Sequence, residues 1–337
     1  MSDLTIGLLS ALLATNQPQA VSNIIQQHTS VTVDIAANPA EQELRKVMLA
    51  DDAAQDEVGG WIRALDAAGT NRTREASAAL NERIMARFEQ VRTAYGGFLR
   101  NHPDSAKGFL AYGSFLNDIG DEEGAHIQYE NSMQLDPKNP AVWNNLANYY
   151  GEHSPVQKAF SYYEQAIKLQ PDEPVYYQNF ATTVYLFRND AKEMYHLDEP
   201  QVFDKALGLY QQAMRLAPDS FVLATDYAES YYGIKPLRTN AALAAWTNAM
   251  NVAHTDAERQ GVAIHLARVK IAAGMFDEAR AHLATVTNAA YADLKKRLGR
   301  SLADHEHPST NSVVDISTNV PPAGTNLPAA PPRGPTP

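Results

Sequence analysis

The sequence predicts an all-α protein, a solenoid of consecutive helix pairs preceded by a helical hairpin and followed by a proline-rich tail. Three observations lead to this fold class. Prolines recur at a spacing of about 34 residues, small and aromatic residues recur in fixed columns, and helix-cap signals fall between them. With 337 residues, of which 45% are hydrophobic, the chain is long enough for one large domain or two ordinary ones.

Three prolines define the repeat. Pro137 and Pro171 lie one repeat length apart, and Pro218 follows after a second repeat length plus an insertion. If each proline occupies position 32 of its repeat, the other repeats can be placed by their similarity. The repeats then lie near residues 106–139, 140–173, 174–220, 221–256 and 260–287, with a C-terminal capping helix after them.

Three columns of residues agree between the repeats. Position 8 holds only small residues, namely Gly113, Ala147, Ala181, Ala228 and Ala267. Position 20 holds Ala125, Ala159, Ala206, Ala242 and Ala279. Position 24 holds Tyr129, Tyr163, Tyr210, Trp246 and Leu283. Because small residues let two helices approach closely and a large one fills the space beside them, the columns predict tightly packed helix pairs.

This pattern resembles the tetratricopeptide repeat, whose units of about 34 residues are helix–turn–helix pairs. The resemblance covers residues 106 to about 287. It implies a right-handed superhelical solenoid in which the first helix of each pair lines a concave groove. Several pairs are expected to stack, because one pair cannot bury its own apolar face.

The segments on either side of the repeats follow other patterns. Residues 73–101 carry apolar residues at spacings of four and three, which predicts one long helix. Together with the periodic segment before it, this helix is expected to form a hairpin that caps the solenoid or, alternatively, dimerises. We therefore expect a poorly determined segment at 1–37, the hairpin at 38–104, the repeats at 105–304 and a disordered tail at 305–337.

The insertion lies between the two helices of the third repeat. We expect it to form a recognition edge in which Tyr195, His196 and Arg238 share a surface. Because surface insertions cost little stability, excision of residues 190–197 is expected to weaken partner binding and leave the melting temperature nearly unchanged. Helix-capping boxes are predicted in residues 154–157, 198–201 and 255–258.

Composition argues against several classes of function. The net charge of -11 offers no basic surface to nucleic acid or to an anionic membrane. Cys is absent, which removes disulfides, thiolate metal sites and cysteine nucleophiles. The chain contains no glycine-rich phosphate loop, no HExxH motif and no nucleophile elbow. We therefore expect no enzyme, no cofactor and no metal.

The apolar run at residues 4–14 is the one candidate for a targeting segment. It is shorter than the roughly 20 residues that a membrane-spanning helix needs, and no basic residue precedes it. We expect a short helix there rather than a signal peptide or a membrane span. The expected location is cytoplasmic, and secretion or envelope association stays open.

The resemblance also implies which side chains face the groove. In the second repeat these are Asn144, Asn145 and Asn148, which lie off the expected core positions. An amide offers both a donor and an acceptor, so these residues are expected to hold the backbone of an extended peptide. The remaining expected contacts are Asn179, Thr182, Tyr185, Asp226, Glu229 and Tyr232.

The expected partner is a protein segment that bears basic residues, because Asp226 and Glu229 lie one helical turn apart in the groove columns. The same columns continue to His265 and Arg268 in the fifth repeat. Family members that bind chaperones use a cationic clamp for a C-terminal carboxylate. Here its amides are matched, but its cations are replaced by Asn144, Val222 and Asp226, which speaks against that specificity.

Three hypotheses of function follow. The leading one is a non-enzymatic scaffold or adaptor that binds a partner segment in the groove. The alternative is a structural subunit that assembles through its N-terminal hairpin, so that the protein is a monomer under the first hypothesis and a homodimer under the second. An enzyme of unrecognised type, built on the repeat helices, is the third.

Overall fold

A computed structural model describes residues 39–67 and 73–306, except for the side chains of Asp66 and Arg74. These residues form α-helices and two short 3-10 helices, with no strand among them, which confirms the predicted all-α class. In chain order the helices are α1 (Pro39–Ala67), α2 (Arg74–Asn101), α3 (Ala106–Asp118), α4 (Glu122–Leu135), α5 (Pro140–Glu152), α6 (Val156–Leu169), α7 (Pro174–Leu186), α8 (Arg188–Tyr195), α9 (Glu199–Leu216), α10 (Phe221–Ser230), α11 (Thr239–Val252), α12 (Asp256–Ala272), α13 (Phe276–Thr285) and α14 (Ala292–Glu306).

The described helices group into two compact units. The N-terminal unit contains residues 39–67, 73–153 and 164–169, and the C-terminal unit contains residues 154–163 and 170–306. In the N-terminal unit α1 packs on α2, α3 on α4 and α4 on α5. In the C-terminal unit α7 packs on α9, α10 on α11, α12 on α13, and α14 covers both α12 and α13.

The small and aromatic columns form the packing between paired helices. In the first repeat a Cβ atom added to Gly113 would lie 2.6 Å from the ring of Tyr129, a distance that no real side chain allows. The alanines at the same position of the later repeats are fully buried, and so are those at position 20. Close approach of the paired helices therefore requires the small residues that the sequence repeats.

The two long N-terminal helices confirm the predicted unbroken helix over 73–101, because α2 runs through Gly96 and Gly97 without interruption. Contacts between α1 and α2 include an ion pair from Arg87 Nε to Glu57 Oε2 at 2.9 Å. Deeper in the interface the hydroxyl of Tyr95 donates to Asp51 Oδ2 at 3.0 Å.

Two of the three predicted capping boxes form as expected. The side chain of Asp198 caps α9 together with Gln201, and Thr255 caps α12 together with Glu258. The third, at residues 154–157, is wrong. The side-chain amide of Gln157 donates to Asp190 Oδ1 at 2.9 Å instead of reaching back to the start of α6.

That hydrogen bond leads to the insertion of the third repeat, which folds as the additional helix α8. Ala191 at its centre is fully buried, and the ring of Tyr195 packs 5.8 Å from that of Phe160. Because these residues fill space in the C-terminal unit, we expect excision of residues 190–197 to lower stability, in contrast to the expectation from the sequence.

Within residues 39–67 and 73–306, no helix combines the length and the apolar character that crossing a bilayer demands. The alternating segment at 31–36, the apolar run at 4–14 and the proline-rich tail lie outside the described residues.

Candidate functional site

The three amides of the second repeat lie on α5, in the N-terminal unit, and differ in their access to solvent. Asn148 is exposed, Asn145 is half-buried and Asn144 is only 6% exposed. The side-chain amide of Asn144 is directed at Asn145 Oδ1, at a distance of 3.4 Å. The expectation that Asn144 faces an open groove is thus not met.

The physical reason is the breadth of the buried face of α5. Ala141 and Ala147 are buried, and Asn144 lies three residues from each of them on the same side of the helix. Trp143 is half-buried, and its indole N–H donates to the Pro137 carbonyl at 2.8 Å. Of the three amides, Asn145 and Asn148 are therefore the two that solvent reaches.

In the C-terminal unit, α7 carries three further predicted contacts, all half-buried. The Oγ1 atom of Thr182 lies 2.7 Å from the hydroxyl of Tyr210, so its hydrogen bond is made inside the fold. A Cβ atom at Gly233 would collide with the hydroxyl of Tyr185, which the Gly233 N–H reaches directly. Thr182 and Tyr185 therefore use their hydroxyl groups within the C-terminal unit.

The two carboxyl groups of α10 lie on the same side of the helix and are half-buried. Asp226 Oδ2 accepts a hydrogen bond of 2.7 Å from the side-chain amide of Gln178 on α7. Burial raises the pKa of Asp226 to about 6, although the bond from Gln178 opposes the shift.

Glu229 has fewer hydrogen-bond partners within the fold than Asp226. Burial, reinforced by the neighbouring Asp226, raises the pKa of Glu229 to about 7, while the positive charge of Arg268 opposes this shift. Among the described residues no side chain forms an ion pair or a hydrogen bond with Glu229. At neutral pH this carboxyl group is therefore about half ionised and lacks a counter-ion.

The first helix of the fifth repeat, α12, contributes Arg268 and His265 to the surroundings of Glu229 and Tyr232. The guanidinium of Arg268 lies over the ring of Tyr232, 4.0 Å from its centre. The hydroxyl of Tyr232 is 3.1 Å from His265 Nδ1, and the ring of His265 stacks on Trp246 at 4.1 Å. Burial, followed by the charge of Arg268, lowers the pKa of His265 to about 3, so this imidazole is neutral near pH 7.

We name this group the acid–aromatic cluster, and it brings together three of the predicted residues, Asp226, Glu229 and Tyr232. It also contains residues that were not assigned to the site from the sequence. His265 and Arg268 occupy the same columns as Asp226 and Glu229 one repeat later, so column continuity was a signal for them. The remaining unassigned members are Gln178 and Trp246.

Two of the residues predicted to form the recognition edge, Tyr195 and Arg238, make contacts within the C-terminal unit. The ammonium group of Lys205 lies 3.9 Å from the centre of the Tyr195 ring, which occupies that ring, and Arg238 forms an ion pair with Asp204. Beside them the C-terminal unit has a cavity of about 330 Å³. It is lined by Glu199, Pro200, Phe203, Gly233, Ile234, Lys235, Pro236 and Arg238.

In the part of the chain that the structure describes, no group of three or more His, Asp or Glu side chains could hold a metal ion. The two carboxyl groups of α10 are therefore not part of a metal centre built from these residues. What the acid–aromatic cluster offers is hydrogen-bond acceptors, partial negative charge and aromatic faces.

Comparison with solved structures identifies proteins of similar fold at low sequence identity. PilW, described as a widely conserved type IV pilus biogenesis factor, has a TM-score of 0.50 over 66% of this chain and 95% of its own, at 10% identity. The pilF protein of Pseudomonas aeruginosa has a TM-score of 0.49 over 76% and 99%, at 14% identity. YrrB, described as a TPR protein with an unusual peptide-binding site, has a TM-score of 0.46 over 61% and 98%, at 12% identity.

No protein-family model matches the sequence, and no curated protein matches it. At these identities the likeness to PilW shows the fold alone. The succession of helix pairs, the small residues between them and the likeness to solved structures agree with one another. In its fold, the chain is a tetratricopeptide-type repeat protein.

Proposed function

We propose that the protein is a non-enzymatic scaffold that binds a segment of a partner protein along the first helices of its repeats. The single observation that carries this proposal is the accessible amide side chains on first helices in each unit taken by itself. Asn145 and Asn148 on α5 and Asn179 on α7 are solvent-accessible on helices whose other faces are packed. Amides can hold an extended backbone through its N–H and C=O groups.

The test begins with capture of partners by the full chain from extracts of the source organism. The bound segment is then mapped and synthesised, and its affinity is measured by titration calorimetry. Replacing Asn145, Asn148 and Asn179 by Ala removes three neutral hydrogen bonds of about 0.5–1.5 kcal/mol each, so affinity is expected to fall by about one to three tenfold steps.

The matched control replaces three exposed amides of the C-terminal unit, Asn189, Asn240 and Asn251, by Ala. It changes the same chemistry on the same fold and is expected to leave affinity unchanged. If both triple variants bind the mapped segment as tightly as the parent chain, Asn145, Asn148 and Asn179 do not form the binding surface and the proposal is wrong.

Assembly through the N-terminal helices is the second candidate, and a specific observation favours it. Leu49 on α1 is 55% exposed and Met85 on α2 is 72% exposed, the two highest values among the large apolar side chains of the described residues. Light scattering of the full chain tests this candidate. A concentration-dependent dimer that is lost in the variant Leu49→Lys with Met85→Lys supports assembly, and a monomer at all concentrations contradicts it.

A further inference from the structure

The acid–aromatic cluster has a mismatch between the charge it carries and the partners it contains. Asp226 and Glu229 lie one turn apart on α10 and are half-buried, yet within the described residues neither forms an ion pair. The nearest cation, Arg268, is held on the face of Tyr232 at 4.0 Å. Burial of carboxylates without a counter-ion is costly, so such a pair favours a cation from outside.

A second observation, independent of the carboxyl groups, concerns a buried donor. Trp246 is 1% exposed, and its indole N–H forms no hydrogen bond of good geometry among the described residues; the side-chain acceptor beside it is the Tyr232 hydroxyl. The ring stacks on His265 and lies 6.1 Å from the ring of Tyr232, inside the cluster. A buried donor that the chain satisfies this poorly is unusual in a folded protein.

We infer that the acid–aromatic cluster is a subsite for one basic residue of the bound segment, whose cationic side chain lies between Asp226 and Glu229. This inference rests on the proposed function and adds the chemistry of the partner. A Lys or Arg side chain carries only donors and meets the acceptors of the two carboxylates.

The surrounding groups determine how this subsite responds to pH. On α7 the neighbours are Gln178 and Tyr185, on the turn after α10 Tyr232, and on α12 His265 and Arg268. The lowered pKa of His265 keeps this imidazole neutral near pH 7, so the two carboxyl groups are the ones that titrate.

A cation binds the ionised carboxylates, and it therefore competes with protons. Because the pKa of Glu229 is about 7 and that of Asp226 about 6, the fully ionised pair becomes scarce as pH falls from 8 to 6. The apparent affinity scales with the competent fraction, so it is expected to fall by roughly tenfold to twentyfold over this range. Binding at pH 7 is expected to release protons into the buffer.

The experiment uses the full chain with its Asp and Glu side-chain carboxyl carbons labelled with ¹³C. The probe is N-acetyl-arginine amide, and N-acetyl-citrulline amide serves as its neutral counterpart of nearly equal shape. We expect the arginine probe, at millimolar concentration, to shift the Glu229 and Asp226 resonances. The affinity obtained from these shifts is expected to be at least about tenfold higher at pH 8 than at pH 6. The citrulline probe is expected to leave both resonances in place.

Two variants make the result specific. The variant Asp226→Asn with Glu229→Gln is expected to abolish binding of the arginine probe. The control Glu193→Gln, on the exposed face of α8, is expected to keep it. Circular dichroism confirms that each variant is folded.

Equal shifts from citrulline, unchanged binding by the double variant, or no shift of either resonance overturns the inference. Its failure differs from failure of the proposed function. If the arginine probe does not bind while the amide variants still lose the mapped segment, only the subsite is wrong. If the amide variants keep the segment, the proposed function is wrong whatever the probe does.

Discussion

Each unit of the molecule contains a pair of carboxyl groups with raised pKa, and the two pairs have different surroundings. In the N-terminal unit, burial raises the pKa of Asp51 to about 6 and that of Asp118 to about 7. In the C-terminal unit, burial raises the pKa of Asp226 and Glu229 by similar amounts. The direction of the pKa shift therefore does not separate a binding site from a structural feature.

The neighbouring groups do separate them. Asp51 receives the hydroxyl of Tyr95, and that ring stacks 5.2 Å from Tyr112 in a buried aromatic group. Glu229 instead faces Arg268, which is held on a tyrosine ring and does not reach it. The first arrangement gives one oxygen of the buried acid a hydroxyl donor and leaves its Oδ1 atom without one, whereas the second gives Glu229 no donor among the described residues. The following predictions test this difference.

The largest effect is expected from excising residues 190–197, because the C-terminal unit would lose the helix α8. Buried Ala191 and the packing of Tyr195 on Phe160 would be removed together. We expect the free energy of unfolding to fall by at least about 3 kcal/mol and the melting temperature by roughly 5–10 °C. Calorimetry of the full chain measures this.

The control for the excision is Lys192→Ala with Glu193→Ala, which alters exposed residues of the same helix and is expected to change the melting temperature little. An excised chain that melts with the parent would show that α8 is an addition to the surface, as the sequence alone suggested.

The next effect concerns Asp51, the acid of the N-terminal unit that receives one hydroxyl donor. Tyr95→Phe removes the hydroxyl that donates to Asp51 at 3.0 Å and leaves the ring packing in place. Above pH 6, where Asp51 is ionised, unfolding free energy is expected to fall by about 1.5–3 kcal/mol, the usual range for a hydrogen bond to a charged group. Urea unfolding at pH 8 measures it.

Below about pH 4 the loss is expected to be smaller, because Asp51 is protonated in both the folded and the unfolded chain. Tyr177→Phe is the matched control, since its hydroxyl donates at 3.0 Å to the Pro171 carbonyl at an exposed position. Equal losses from the two substitutions would mean that Asp51 gains nothing special from Tyr95.

The smallest effect has the opposite sign and concerns the unsatisfied acid. The pKa of Glu229 is raised from 4.5 to about 7 in the folded chain. Between these values the folded state binds more protons than the unfolded state, so stability falls as pH rises through this window. Glu229→Gln removes that loss and is expected to stabilise the chain by about 1–2 kcal/mol at pH 8 and not at pH 4.

Urea unfolding at the two pH values checks the gain, with Glu193→Gln as the exposed control. If Glu229→Gln stabilises the chain and also weakens binding of a basic probe, Glu229 contributes to binding at a cost in stability. A destabilising Glu229→Gln at pH 8 would instead place Glu229 with Asp51, as an acid that receives a donor within the fold.

The helix pairs could be predicted from the sequence because their packing depends on side-chain size. Gly113 beside Tyr129 is a steric requirement, and steric requirements recur at fixed positions when a unit repeats. The additional helix α8 escaped prediction because residues 188–195 are mostly polar and stand outside the repeat. Their order comes from tertiary contacts, such as that of Asp190 with Gln157, which no local pattern records.

The site was predicted less completely for a related reason. Column position indicates the side of a helix on which a residue lies, and it placed Asp226 and Glu229 correctly beside one another. It does not tell how wide the buried arc of that helix is, and Asn144 is buried for this reason. Nor does it show that Thr182 uses its hydroxyl on Tyr210, because that bond depends on the paired helix.

The stacking of Trp246 on His265 gives the C-terminal unit an optical reporter of its own. The chain has three tryptophans, and the other two, Trp61 and Trp143, belong to the N-terminal unit. A chain with Trp61→Phe and Trp143→Phe would therefore emit only from the buried indole inside the acid–aromatic cluster. Its fluorescence would follow the unfolding of one unit separately and would change when a cation enters beside Glu229, without any label added to the protein.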